Sequence, residues 1–505
     1  MTRKHIIISL IFSALVIIAV SMSGIVDASP LAQATNTPRA TRDRTKNPRA
    51  TKTSEATAEA TAHVTATSET VSEDSENSAL DPLTSQLLII NSDRNDVAKV
   101  TVNVYDANGD IAFSDEIKIK ENGAKILEMP KGVGDDFLGS ARIVSDRRVQ
   151  ALVLSANRRG STSDVYQVNP TSSRALTLPY LAHLASNAQN SLLAIQNVSS
   201  VTADANVSAY DLDGNEVTTH PLTIPARASV YLNTTALFGA NSFVGSARIT
   251  ANQSLAAAEL VMLGQETASL HALNANDEGS DQVVPLVERA RRKDGTIKTW
   301  TELYVRNNGA AATDITVAFY NRKGEVKGSV TRANVPAGGV AVFSTRESEF
   351  EFLSKKFSGW ANVTSLADTP LAIHSLGARA SGKQWFGGGA VENHLANARN
   401  VCGVVSSTGN QRSVITLVNM HADKKAKVQV RLFAGEDGAQ VKTIELQVAP
   451  HAQTKITPKN GLPLNFQGLS VLTSEGQSSR ELVVQVTTQM LDGRRARSVS
   501  GYVCR

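Results

Sequence analysis

The chain has 505 residues, 41% hydrophobic, 19% charged and 5% aromatic, with 33 Gly, 15 Pro and 2 Cys. At roughly 100–200 residues per domain this is room for three or four domains. A net charge of +4, from 51 basic and 47 acidic residues, gives no footprint for nucleic acid, and two cysteines exclude a disulfide-rich scaffold or a four-thiolate metal site.

Arg3, Lys4 and His5 precede an uncharged run from Ile6 to Val20 and a softer segment to Val26. A basic start, an apolar stretch and a small-residue site form the pattern of an export signal, with cleavage expected after Ala28 or, on the better A-x-A match, after Ala34. The alternative is a retained anchor, since Ile6 to Val26 as a helix of about 1.5 Å per residue spans a bilayer. Residues 1–34 are therefore expected to be a helical signal peptide or signal anchor, with any membrane contact confined to residues 6–26. The rest of the chain is expected outside the cytoplasm, at the cell surface or in the medium. No Cys follows the apolar run, which excludes a lipoprotein.

Residues 35–82 are rich in Thr, Ala and Ser, with no aromatic residue and no apolar period. Such a segment cannot bury enough apolar surface to offset its ordering entropy, which predicts a disordered stalk. Its basic half, Arg39 to Lys52, precedes an acidic half, Glu55 to Glu76. This is a solvated spacer, or one whose basic half touches an anionic membrane or wall polymer. The Thr density also suits O-glycosylation.

From residue 83 onward one unit recurs four times. An apolar strand ends in Asn91, Asn197, Asn307 and Asn419, at intervals of about 110 residues. An aromatic then opens a Gly-containing turn, at Tyr105–Gly109, Tyr210–Gly214, Tyr320–Gly324 and Phe433–Gly438. Phe-x-Gly follows at Phe137–Gly139, Phe243–Gly245, Phe357–Gly359 and Phe466–Gly468. Alternating stretches such as Val100–Tyr105 and Val428–Phe433 have the period of half-buried strands, and Asn-Gly and Asp-Gly pairs supply hairpin turns. The expected fold is all-β: four tandem Ig-like β-sandwiches over 83–172, 173–281, 282–396 and 397–505. Units two to four open on Leu178–Leu181, Val284–Val287 and Val401–Val404, but at the matching position the first has an acidic stretch around Glu73. The first unit is thus expected to lack its opening strand and to present an open edge, a possible site of self-association.

Cys402 and Cys504 fall in the first and last strands of the fourth unit, which favours an internal disulfide over two free thiols or an intermolecular link. No catalytic elbow, zinc signature, phosphate loop or dinucleotide fingerprint is present, and no cofactor is implied. The nine His are scattered and read as surface or turn residues. The segment Asp211–Glu216 faintly resembles a calcium loop, but the same turn in the third unit is Asn321-Arg-Lys-Gly, so a hairpin accounts for all four copies. The four recurring Asn residues read as turn formers that bond local backbone.

Two basic clusters remain, one at Arg289, Arg291, Arg292 and Lys293, the other at Arg494, Arg495, Arg497 and Arg505. Trp300, Trp360 and Trp385 all lie in the third unit, where they either pack in the core or offer platforms for sugars. Any ligand surface is accordingly expected on the third unit, from Trp300, Trp360, Trp385, Arg291 and Arg292.

The recurring cycle of Leu-Pro-x-Leu, strand-Asn, Tyr-Asp-x-x-Gly, Ile-Pro-Ala and Phe-x-Gly-Ser-Ala resembles the tandem β-sandwich repeats of uncharacterised bacterial cell-surface and secreted proteins. The resemblance implies an extracellular, non-catalytic role and carries no active-site residues. The expected function is a structural or adhesive surface protein, a rod of four sandwiches whose partners are envelope or matrix components, including anionic polysaccharide, and not nucleic acid. A carbohydrate-binding protein using the third unit is the alternative, and an exported hydrolase the remaining one.

Overall fold

The structure is a computed structural model that describes residues 16–22 and 83–504, apart from positions 94, 128–136, 158–162, 168–171, 186–188, 264–265, 274–277, 380–383, 390, 393–398, 410, 435–437, 476–481 and 493–494. The expected stalk and most of the expected signal lie outside the described residues. Among the described residues the elements are strands, except for one short helix at Thr235–Phe238 and two 3-10 turns at Ser348–Phe350 and Leu366–Asp368.

The fourth sandwich shows the plan of all four. Its eight strands are Arg399–Ser406, Gln411–Asn419, Ala426–Ala434, Ala439–Val448, Gln453–Ile456, Gln467–Glu475, Leu482–Asp492 and Arg495–Val503. In one sheet the order is first, sixth, third, fourth; in the other it is fifth, second, seventh, eighth. Pairing of second with fifth and third with sixth strand is shared with the immunoglobulin sandwich, whereas the first strand beside the sixth and the seventh beside the second are not. In the second sandwich the sixth and seventh strands are continuous. Phe243–Leu263 crosses both sheets, pairing first with Ala203–Tyr210 and then with Gln189–Asn197.

The three sequence anchors meet in each copy. The Asn that ends the second strand is fully buried in all four sandwiches. Asn307 Nδ2 donates to Ala311 O at 2.8 Å and Val335 O at 2.9 Å, while its Oδ1 accepts from Gly309 N. Asn91, Asn197 and Asn419 make the same set of bonds. One side chain thus satisfies two buried carbonyls and one amide, which an apolar residue would leave unpaired. The Phe-x-Gly glycine faces the aromatic of the turn across the strand pair: a side chain at Gly359 would lie 2.0 Å from Tyr320 O, and Gly139, Gly245 and Gly468 repeat this contact.

The first sandwich differs at its opening strand, as its acidic approach predicts. The vacant place beside Gly139–Ser145 is filled by Val16–Met22, which pairs there parallel, from Val16 opposite Gly139 to Met22 opposite Ser145. In the other three sandwiches the opening strand runs antiparallel to its sixth-strand partner. Two expectations are corrected. The described part of the expected signal helix is a strand, and the edge expected to be open is covered. The segment is dominated by Val and Ile, which favour a pleated surface, and an unpaired edge offers it a full set of backbone partners.

The sandwiches do not form the expected rod. Each turn that follows the third strand docks on the turn before the fifth strand of the next sandwich. Gly109 lies against Ala226–Ala228, Gly214 against Ala337–Gly339, Gly324 against Pro450–His451, and Gly438 of the fourth sandwich against Glu121–Gly123 of the first. Ser229 N to Ala107 O, Val340 N to Leu212 O and Gln453 N to Arg322 O are the accompanying backbone bonds. The fourth joint therefore closes a circuit. The eighth strands Ser163–Gln167, Glu266–Leu273, Gln384–Gly389 and Arg495–Val503 also adjoin one another in turn around the same circuit.

Apolar outer faces explain the closure. In Leu87–Ile90, Leu87 and Ile89 face the core of the first sandwich, while Leu88 and Ile90 pack with Leu152 into the core of the fourth. The end unit of a linear array needs a polar outer face. Here the face is apolar, and Gly403 of the fourth sandwich lets backbone settle against Leu88, Ile90 and Leu152. Arg399 completes the joint, its Nη1 donating to Ser92 O and its Nη2 to Asn122 Oδ1.

Candidate functional site

The third sandwich carries an open cleft of about 850 Å³. Its walls are the end of the opening strand Asp281–Arg291, the turn from Asn321 to Lys327, and the segment from Phe352 to Ser358. Arg289, Arg322, Lys323, Lys327 and Lys356 line it, against the single carboxylate of Glu288. The turn is built by Asn321, whose Oδ1 accepts from Lys323 N and Glu325 N. This fixes the backbone and leaves the Arg322 and Lys323 side chains exposed. Lys327 donates to Glu325 at 2.8 Å, and the bonds from Lys327 and Asn321 hold the Glu325 carboxyl below its ordinary range.

Arg289 alternates inward along its strand and is 2% exposed. Its Nη1 donates to Leu353 O at 2.9 Å, while Nε and Nη2 have no partner among the described residues. Glu288 does not supply one. Its Oε1 lies 3.8 Å from Nζ of Lys455, which arrives from the fourth sandwich and also donates to Ser358 Oγ at 3.0 Å. Burial lowers the pKa of that ammonium. Phe352, 38% exposed, adds an aromatic ring at the cleft.

A second, smaller concavity of about 340 Å³ lies at the joint of the second and third sandwiches, between Tyr180 and Gln189 on one side and Glu302 and Tyr304 on the other. Its polar groups engage one another. Glu302 accepts from Trp300 Nε1 at 2.9 Å, Tyr304 Oη at 3.2 Å and Ser344 Oγ at 3.3 Å, and Tyr180 Oη donates to Gln189 Oε1 at 2.5 Å. Beside it Glu259 is fully buried, with Oε1 accepting from Ser191 Oγ at 2.7 Å and Oε2 4.0 Å from His374 Nδ1. Burial pushes its carboxyl up to about 8.

The residues expected to form a ligand surface are dispersed. Trp360, 1% exposed, is stacked at 4.0 Å between ring centroids on Tyr320 and donates Nε1 to His451 O at 2.8 Å, so it anchors the joint to the fourth sandwich. Trp300 is buried beneath Arg346, whose guanidinium lies 5.4 Å from the ring centroid. Neither ring is available as a sugar platform. Trp385 lies opposite Ala378 in a strand pair, and its side chain falls outside the described residues. Arg291 pairs with Glu351 at 3.0 Å, and Arg292 sits exposed in the following turn; neither lines the cleft.

The sequence held one sign of the cleft. The turn shared by all four sandwiches carries Asp in the first two and Arg322-Lys323 in the third, a local inversion of charge. Lys356 and Phe352 gave no such sign, because only the strand pairing brings them to that turn. Two histidines correct the expectation of surface positions: His183 is buried with its ring bonded to Thr234 and Gly239 O, and His374 is buried at the joint. Asp211 closes its hairpin by accepting from Asn215 N, and among the described residues no group of three or more His, Cys, Asp or Glu is placed to hold a metal. Cys402 and Cys504 form the expected disulfide, spanning 102 residues. Among the described residues no helix is long and apolar enough to cross a membrane.

No protein-family model matches the chain, and no curated protein matches it. Eight chains of solved structures do match. One is the Crystal Structure of Thermotoga maritima 1070, at 14% identity and a TM-score of 0.19, covering 22% of this chain and 94% of that one.

Proposed function

We propose that the protein is an exported, non-catalytic adhesive or structural component of the cell surface, in which a closed circuit of four sandwiches presents the cleft of the third. The observation that carries this reading is the concentration of five cations in one cleft on a chain whose overall charge is nearly balanced. The Cys402–Cys504 disulfide supports an oxidising compartment. Carbohydrate binding by the third sandwich is the second reading. With Trp300 and Trp360 buried, it rests on the cleft instead of the tryptophans.

The experiment is mass spectrometry of the protein from fractionated native cells. The expected result is recovery from the surface or medium with the disulfide intact. A start at Ser29 or Thr35 would mean that the strand Val16–Met22 is released and the edge Gly139–Ser145 uncovered, whereas Met1 retained on protein outside the membrane fraction would keep that edge filled. Recovery from the cytoplasm with both cysteines reduced overturns the proposal.

A further inference from the structure

We infer that the cleft of the third sandwich binds a polysaccharide bearing carboxylates, a polyuronate, with Arg289 as its central anion contact. This deepens the adhesive reading by naming the ligand class, and rests on it only for where the ligand is met. Nε and Nη2 form the side-on fork of the Arg289 guanidinium; both are buried and lack an acceptor among the described residues, so a carboxylate meets them once the neighbouring side chains move aside. A buried donor without a partner is a standing cost to the fold, larger when the group is charged. The acceptor that fits two parallel N–H groups is the oxygen pair of one carboxylate. Among the described residues the one carboxylate lining the cleft, that of Glu288, is engaged by Lys455.

Around Arg289 stand Arg322, Lys323 and Lys356, with Lys327 already held by Glu325. A chain with a carboxylate on each sugar offers one anion for each of several cations. Phe352 supplies an exposed ring for the apolar face of a sugar, and Ser354 a hydroxyl at the rim. Single-stranded nucleic acid is the less fitting occupant, because its grooves offer one aromatic after another for successive bases, and this cleft exposes one.

The test is calorimetric titration of the intact protein with polygalacturonate, with dextran as the neutral glycan and a thymidine oligonucleotide as the nucleic acid. Saturable binding to polygalacturonate, weakening with salt and absent with dextran, is expected. Lys323→Glu with Lys356→Glu, both at exposed positions, should lower affinity at least about tenfold. Arg289→Lys, which keeps the charge and removes the fork, should lower it too, while Arg292→Glu outside the cleft leaves it unchanged. Equal binding to dextran, tighter binding to the oligonucleotide, or indifference to the double charge reversal overturns the inference. A protein found in the cytoplasm that still binds polygalacturonate would defeat the surface role and leave the cleft standing. An exported protein that ignores polygalacturonate would defeat the cleft alone.

Discussion

The joint between the second and third sandwiches and the joint between the third and fourth use the same backbone contact and fill it differently. In both, a turn glycine, Gly214 or Gly324, seats against the Pro-containing turn of the next sandwich. The 3–4 joint is then packed by Trp360 on Tyr320, with Gln453 Nε2 donating to Pro285 O at 2.7 Å and Gly359 O at 2.9 Å. The 2–3 joint instead packs Tyr180 at a tilt against Tyr304 beside the enclosed carboxyl of Glu259. Position is thus set by the turns, and the filling was free to diverge. An aromatic filling responds to volume. A carboxyl filling responds to pH.

The largest effect should come from emptying the aromatic joint. Trp360→Ala is expected to cost about 3–5 kcal/mol, and amide exchange should quicken along the 3–4 contact while the 2–3 contact stays protected. Equal loosening of both joints would mean that they are not separable.

The carboxyl joint should show itself in the pH dependence of stability. Burial raises the folded pKa of Glu259 to about 8, against roughly 4.3 for an unfolded Glu. The folded state therefore keeps a proton that the unfolded state has released. Its contribution is full below about pH 4.3 and is lost as pH rises towards 8, at about 1.4 kcal/mol per pH unit. Denaturant titrations across this window should slope downward for the native protein and flatten for Glu259→Gln. An unchanged slope in the variant would remove Glu259 as its source.

The shared backbone contact is tested by two glycines with the same φ of 86°. Gly295 has open space around it, whereas a methyl at Gly324 would lie 2.6 Å from Pro450 O. Gly295→Ala should cost only the strain of its conformation, about 1 kcal/mol, and Gly324→Ala roughly 1–3 kcal/mol beyond that. Equal melting-temperature shifts would show that the turn does not bear on its neighbour. The smallest effect belongs to the 1–2 joint, where the Arg227 guanidinium lies 5.8 Å from the Tyr105 ring centroid. Arg227→Ala should lower stability by about 0.5–1 kcal/mol in chemical denaturation, with little change at high salt.

What could be read from the sequence was what the chain does within one repeat. The buried Asn, the aromatic turn and Phe-x-Gly are local devices, so their spacing marked four sandwiches and their strands. The joints were hidden because each is made by residues in different repeats: Trp360 finds its partner in His451, Arg399 in Ser92 and Asn122. One trace of them was present. Leu87–Ile90 does not alternate, and a strand apolar on both faces needs cover on both. The cleft was half visible, through the basic turn at Arg322 and Lys323, and the tryptophans drew attention away from it because burial cannot be read from residue type alone.

Closure of the circuit has a mechanical side. A pull between the first sandwich and the third, which carries the cleft, has two routes, through the second sandwich and through the fourth. Tension divides between the arms, and the rupture of one joint leaves the other arm holding. A linear array of the same four sandwiches would carry the whole load through every contact, and would part at its weakest.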